Sequence, residues 1–308
     1  MMESEEVCIL ASLIALGLRE QLRLFKPLIT RADIEACRVL QDRLGELGAR
    51  AAASRTVVEP MPFSDFQAAA VIPADCRDAS RAVLYLHGGG YTAGSLSYAL
   101  GFGSVLALHL GLPVLCAAYR LAPENPFPAA VDDARAAYLS LLSAGLAPEN
   151  ISFIGESAGG GLLYALCLRL KAEKLPLPGR LVALSPWVDL TMSGRSYVEN
   201  AKKDPCLSED SLRDYAGLYA GRDLRNPLVS PVFGDLRGLP PSRIFAGGDE
   251  LLLSDAEMMQ ERLTSAGCES ELWIEPGLWH VYPLYGIPEA NAALHAIRRF
   301  VLPGETDR

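Results

Sequence analysis

The feature that most constrains this chain is a serine placed between a strand pattern and a helix pattern. Residues 151–154 are apolar and β-branched, as in a buried strand, and residues 162–170 have a helical composition. Between them lies GESAG, residues 155–159, whose glycines remove the Cβ atoms that would clash in a sharp turn. The pattern predicts that Ser157 is an exposed nucleophile at the positive end of a helix, where a developing oxyanion is favoured.

A glycine run follows an earlier strand pattern. Residues 82–86, AVLYL, predict a buried strand, and they lead directly into HGGGY at residues 87–91. Backbone without side chains can turn its amides toward a bound group. Such a loop is typical of an oxyanion hole, which binds the negative charge of a tetrahedral intermediate. We expect this loop and Ser157 to form one site.

A serine nucleophile needs a base, and two histidines follow Ser157 in the chain. His295 lies in a helix pattern and is expected to be a surface or packing residue. His280 lies in a loop just after a strand pattern at residues 270–274. A neutral imidazole can accept the serine proton and then protonate the leaving alcohol. We therefore predict that His280 is the base.

The acid that orients the histidine is expected where a strand pattern ends in two adjacent carboxylates. Either Asp249 or Glu250 could fix the tautomer of the imidazole and stabilise the imidazolium. Asp255 begins the next helix pattern and is interpreted as a residue of its first turn. The residues by themselves leave the choice between Asp249 and Glu250 open.

Composition limits the class of protein. The chain has 308 residues, of which 50% are hydrophobic, which is enough for one large catalytic domain. A net charge of −9 argues against nucleic-acid binding. The 7 cysteines are scattered singly, which argues against a disulfide framework and for a reducing, cytoplasmic compartment. No Cys/His spacing typical of a metal site occurs, and we expect neither metal nor cofactor.

The first 50 residues contain two apolar helix patterns. Residues 7–18 are apolar but shorter than the roughly 20 residues that span a bilayer. They follow glutamates rather than the basic start of a signal peptide, so a buried or interfacial helix is predicted. Residues 31–47, after a candidate cap at Thr30, predict a second helix. Its apolar face consists of Ile34, Cys37, Leu40, Leu44 and Leu47.

These motifs resemble the hormone-sensitive-lipase-like branch of the α/β hydrolases, the bacterial family IV carboxylesterases. The branch is recognised by HGGGY and GDSAGG, and this chain has HGGGY at residues 87–91 and GESAGG at residues 155–160. Glu156 thus replaces the commoner Asp and keeps its acidic charge. The resemblance covers about residues 57–303. It implies an α/β-hydrolase fold, a mostly parallel central sheet flanked by helices, with a helical cap.

The resemblance also implies roles for individual residues. The family sequence DPLLDD matches residues 250–255 without a gap, which puts Glu250 in the position of the acid. The preceding Ala-Gly-x-Asp register points instead to Asp249, but it needs an inserted residue, so Glu250 is the expected acid. The oxyanion donors of the family correspond to Gly89, Gly90 and Ala158.

The domain organisation implied by the resemblance has two parts. Residues 1–55 form N-terminal helices that contribute to the cap. Residues 56–308 form the catalytic domain, with a cap insertion at about residues 191–226. Plain helical packing over the sheet is an alternative role for both segments.

The resemblance implies a cytoplasmic serine carboxylesterase that hydrolyses small, uncharged, short- to medium-chain esters through an acyl-enzyme intermediate. The expected partner is a small-molecule ester, with no nucleic acid and no membrane span, and homodimerisation is left open. One alternative is a small-molecule receptor like the gibberellin receptors, which have lost the catalytic histidine, and retention of His280 argues against it. Another is an amidase, deacetylase or dehydratase on the same frame. The natural substrate stays undetermined.

Deletion of residues 1 to about 50 should remove part of this cap and none of the expected catalytic residues. The exposed apolar surface should make the protein aggregate more readily, and selectivity among acyl lengths should fall, while a folded truncated chain still hydrolyses p-nitrophenyl acetate. A panel of p-nitrophenyl esters of increasing acyl length, compared with the full chain, measures this. An unchanged acyl-length profile in soluble truncated protein would show that the segment only packs.

Overall fold

A computed structural model of the chain describes residues 2–29, 34–76 and 78–304, so the candidate cap at Thr30 lies outside the described residues. Helices and strands alternate along most of this length. The strands are β1 (Thr56–Met61), β2 (Gln67–Pro73), β3 (Ala82–Leu86), β4 (Val114–Ala118), β5 (Ile151–Glu156), β6 (Arg180–Leu184), β7 (Ser242–Gly247) and β8 (Ser270–Glu275). The helices are α1 (Met2–Ile29), α2 (Ile34–Ala52), α3 (Leu96–Leu110), α4 (Ala129–Ser143), α5 (Ala158–Ala172), α6 (Ser196–Glu199), α7 (Glu209–Ala220), α8 (Leu253–Ser265) and α9 (Pro288–Val301).

All the strands belong to one sheet, in the order β1-β2-β4-β3-β5-β6-β7-β8. Strand β2 is antiparallel to both of its neighbours, and β4, β3, β5, β6, β7 and β8 run parallel to one another. Leu86 at the end of β3 pairs with Gly155 near the end of β5. The loops that follow these two strands therefore leave the sheet side by side, at the carboxyl edge where parallel sheets bind their ligands. The predicted mostly parallel α/β fold is confirmed.

The central strands are buried on both faces, because successive side chains of a strand point in opposite directions and helices cover each face. Leu84 and Leu86 lie in one core with residues of α4, α5 and α8. Val83 and Tyr85 lie in the other core with residues of α3 and α9. A strand covered on both sides is apolar throughout, which explains why residues 82–86 show no alternation of polar and apolar residues.

The predicted elements around the motifs are confirmed: strands form at residues 82–86, 151–154 and 270–274, and α5 contains residues 162–170. The predicted first helix at residues 7–18 lies within α1. None of the helices in the described ranges combines the length and apolarity needed to cross a bilayer.

Helix α2 packs differently from what its apolar pattern suggested. Its small residues face α3, and a Cβ atom on Gly45 would lie only 2.3 Å from the carbonyl oxygen of Ser97. The leucines of the predicted apolar face are largely exposed, Leu44 by 56% and Leu47 by 63%. The face exists as predicted, but it does not pack on the sheet.

Candidate active site

Ser157 lies at the turn between β5 and α5 with φ 55° and ψ −120°, a backbone conformation that non-glycine residues rarely adopt. A Cβ atom on Gly155 would lie 2.3 Å from the carbonyl oxygen of Gly159. One on Gly159 would lie 2.0 Å from the carbonyl oxygen of Leu86. Both positions therefore require glycine, and the sharp turn expected from GESAG is present.

The loop between β8 and α9 brings His280 to this turn. Its Nε2 atom lies 2.9 Å from Oγ of Ser157. This distance allows a proton to pass directly between the two groups. Both residues are buried, so the prediction that Ser157 is exposed is wrong: the serine lines an internal cavity beneath helices that cover this edge of the sheet. His295, by contrast, is exposed on α9, where its ring meets that of His109 at 6.1 Å.

Of the two adjacent carboxylates after β7, Glu250 faces the imidazole. Its Oε2 atom lies 3.4 Å from Nδ1 of His280, within ion-pair distance although longer than an ordinary hydrogen bond, and Glu250 is fully buried. Asp249 turns the other way and pairs with Arg19 of α1 at 2.7 Å. The structure thus places His280 between Ser157 and Glu250, in contact with both, and leaves Asp249 outside this arrangement.

Ser185 connects the acid to the histidine loop. Its hydroxyl donates a hydrogen bond to Oε2 of Glu250 at 2.7 Å and accepts one from the amide of Val281 at 2.9 Å. Ser185 is not among the site residues expected from the sequence. A hydroxyl directly after a parallel strand, at the edge of the sheet that carries the site, is the signal that could have found it.

Burial and charge act in opposite directions on the histidine. Burial disfavours the imidazolium, but the carboxylate of Glu250 outweighs this effect, so the pKa of His280 lies above its ordinary value of 6.5. Burial raises the pKa of Glu250 as well, although His280 and Ser185 oppose the increase. The acid is therefore most stable as a carboxylate when the imidazole beside it carries a proton.

Glu156, which replaces the commoner Asp, anchors the glycine loop. Its Oε1 atom accepts hydrogen bonds from the amide of Gly88 at 2.6 Å and from the hydroxyls of Tyr85 and Tyr98, both at 3.1 Å. Burial raises the pKa of Glu156 to about 7, although these hydrogen bonds and His280 oppose it. The expectation that the substitution simply keeps an acidic charge is incomplete, because this carboxyl titrates near neutral pH.

The expected oxyanion donors lie on the two adjacent loops. Gly89 and Gly90 follow β3 with φ values of 109° and 62°, and Ala158 is the first residue of α5. Within the described ranges, none of these three amides donates a hydrogen bond to a backbone carbonyl outside the helices and strands. Their hydrogens are therefore available to a bound oxygen atom.

A cavity of about 220 Å³ contains Ser157 and His280. Its walls come from α1, α2 and the segment between β6 and β7, and most of the contributing side chains are apolar. They include Leu22, Leu40, Leu44, Leu207, Leu212 and Tyr215. Tyr215 also packs over the glycine loop, since a Cβ atom on Gly90 would lie 2.5 Å from its ring.

A sequence profile of the α/β hydrolase fold matches residues 83–284. The chain belongs to this family of α/β hydrolases. The hydrolase is 40% identical over 228 residues to an acetyl-hydrolase of Streptomyces hygroscopicus. This match covers 73% of this chain and 76% of the relative. It is 34% identical over 233 residues to an esterase of Acinetobacter venetianus, and that match covers 74% of this chain and 77% of the relative.

Solved structures of esterases resemble the hydrolase over most of its length. A hormone-sensitive lipase from a metagenome library has a TM-score of 0.84 at 37% identity, covering 92% of this chain and 96% of that one. The esterase EstE5, in crystals soaked with p-nitrophenyl butyrate, has a TM-score of 0.85 at 33% identity, covering 93% of this chain and 97% of that one. The hydrolase therefore belongs to the hormone-sensitive-lipase-like branch that its motifs indicated.

Glu250→Gln should lower kcat by a factor on the order of 10⁴, because an amide cannot stabilise the imidazolium in the same way. Asp249→Asn should change kcat far less, because Asp249 pairs with Arg19 and does not face the imidazole. Steady-state hydrolysis of p-nitrophenyl acetate measures both, with circular dichroism to confirm folding. The opposite ranking of the two variants would assign the acid to Asp249.

The pH profile of kcat/KM should have an acid limb that falls as pH drops through a midpoint above 6.5, because a protonated His280 cannot accept the proton of Ser157. Glu156 titrates in the same range, at about 7, so it needs a control. The limb should persist in Glu156→Gln, which lacks that titration. Its disappearance in this variant would assign the limb to Glu156.

Proposed function

We propose that this hydrolase is a serine carboxylesterase that cleaves small, uncharged, short- to medium-chain esters through an acyl-enzyme intermediate. The observation that supports this best is the 2.9 Å contact between Nε2 of His280 and Oγ of Ser157, inside a cavity of a protein of the α/β hydrolase family. The names of the relatives agree with it, since they are an acetyl-hydrolase and an esterase.

In the proposed acylation step, Oγ of Ser157 attacks the ester carbonyl carbon while its proton passes to Nε2 of His280. Glu250 stabilises the imidazolium that forms. The carbonyl oxygen becomes an oxyanion, which accepts hydrogen bonds from the amides of Gly89, Gly90 and Ala158. The bond from the carbonyl carbon to the alkoxy oxygen then breaks, and the departing alcohol takes the proton from His280.

Deacylation repeats the sequence with water as the nucleophile. His280 removes a proton from water as the oxygen attacks the acyl carbon, and the same amides bind the second oxyanion. When this intermediate collapses, the bond to Ser157 breaks and the serine oxygen takes back a proton from His280. The products are the carboxylic acid and the alcohol.

The size and lining of the cavity support a short substrate. Its volume of about 220 Å³ lies below the range of about 300–1,000 Å³ that is common for sites of drug-sized ligands. Apolar walls favour uncharged acyl groups, and a net charge of −9 does not assist anionic esters. We propose that residues 1–55 and about 191–226 act as the cap that shapes this cavity.

The proposed location is the cytoplasm. The cysteines whose side chains the structure describes are free thiols, which is usual in a reducing compartment. Homodimerisation stays a prediction.

Ser157→Ala should abolish ester turnover while the fold stays intact, with a loss on the order of 10⁴ to 10⁶ in kcat. Hydrolysis of p-nitrophenyl acetate and thermal unfolding measure the two effects. Ser211→Ala is the matched control, because Ser211 lines the same cavity, and it should keep most of the activity. A serine-directed phosphonate should label Ser157 in the wild type. Most of the activity surviving in folded Ser157→Ala, or labelling of another residue, would overturn the assignment.

A further inference from the structure

The side chain of Arg19 on α1 joins three separate segments of the hydrolase. Its Nη1 atom donates a hydrogen bond to the carbonyl oxygen of Gly277 at 2.7 Å, and its Nη2 atom donates one to the carbonyl oxygen of Lys203 at 3.0 Å. The same Nη2 atom lies 2.7 Å from Oδ2 of Asp249. The guanidinium is only 14% exposed, so its planar fork is held in place by these contacts.

Two of these segments carry residues of the proposed triad. Gly277 lies three residues before His280, and Asp249 is next to Glu250. The two loops already touch, since the amide of Asp249 donates to the carbonyl oxygen of Leu278 at 2.9 Å. Arg19 spans the same junction from outside, with a charge-assisted contact on one loop and a hydrogen bond on the other.

The third segment forms part of the cavity wall. Lys203 precedes residues 205–207, which line the cavity. Between them, Oδ2 of Asp204 accepts a hydrogen bond from the amide of Leu251, one residue after Glu250, at 2.8 Å. The main chain of Asp204 is also bound to α1, because its carbonyl oxygen accepts from Nζ of Lys26 at 2.7 Å. Helix α1, the cavity wall and the acid loop are thus one connected unit.

We propose that Arg19 is a positioning residue that holds the loops of Glu250 and His280 in the register in which His280 reaches Ser157. The contacts that hold α1 over the cavity then also align the triad. This inference rests on the catalytic roles proposed above. Small displacements of a catalytic group cost large factors in rate, so a brace at this junction affects kcat.

Arg19→Ala should lower kcat for p-nitrophenyl acetate about tenfold, and KM should change by less than about twofold because so small an acyl group makes little use of the cavity wall. Arg19→Lys keeps the positive charge but lacks the planar guanidinium, so its kcat should lie between those of the wild type and Arg19→Ala. Arg23→Ala is the matched control on the same helix, where Arg23 pairs with Glu20 at 2.8 Å. It should leave kcat unchanged.

Two further readouts separate positioning from general stability. Guanidinium added well below denaturing concentrations should restore part of the kcat of Arg19→Ala, whereas sodium chloride at the same ionic strength should not. Arg19→Ala should also lower kcat by a smaller factor in an Asp249→Asn background than in the wild type, because the two side chains interact with each other.

Wild-type kcat in Arg19→Ala with a lowered Tm would overturn the inference, and so would a rise in KM alone. If Arg19→Ala does not fold, Arg19→Lys decides the matter in the same way, and wild-type kcat in that variant overturns the inference. Failure of the proposed function is distinguishable, because the wild type would then show no turnover and no labelling of Ser157.

Discussion

The close approach of α5 to the ends of β3 and β5 is the constraint on which the rest of this molecule depends. No side chain fits at Gly155 or Gly159, where a Cβ atom would enter the space of a backbone carbonyl. Because the helix starts so near the sheet, Ser157 takes a strained conformation at the carboxyl edge. Parallel pairing of β3 with β5 then sets the glycine loop beside it. The close approach of α5 and the pairing of β3 with β5 together make the proposed nucleophile and the proposed oxyanion donors neighbours.

Buried carboxylates organise the loops at that edge. These loops lack the regular hydrogen bonds of helices and strands, and their buried amides need acceptors. Glu156 accepts from the amide of Gly88, and Asp255 accepts from that of Asp189 at 2.9 Å. Asp204 does the same within the segment between β6 and β7. Asp255 lies in the first turn of α8, as expected, but its contacts extend well beyond that helix. Burial of so much acid raises the pKa of Glu156 and of Asp255.

Arginines bind the N-terminal helices to the loops that carry the proposed site residues. Arg19 reaches the acid and histidine loops from α1. Arg38 on α2 donates to the carbonyl oxygen of Thr92, just after the glycine loop, at 2.8 Å, and pairs with Glu124 at 2.7 Å. Polar contacts thus fix these helices to the loops at the carboxyl edge of the sheet, while the leucines of α2 line the cavity or meet solvent. This division explains why the apolar face of α2 is not its packing face.

The sequence by itself determined the features that depend on short stretches of chain. The strand-to-helix turn at Ser157, the glycine loop at residues 87–91 and the loop position of His280 each follow from local composition and spacing. Only the tertiary structure decided that Glu250 rather than Asp249 faces His280, that Ser185 bonds to the acid, and that Arg19 reaches across to the loops of both. Two adjacent carboxylates have the same local propensities. Their directions are set by partners that lie tens to hundreds of residues away along the chain, which no local pattern can encode.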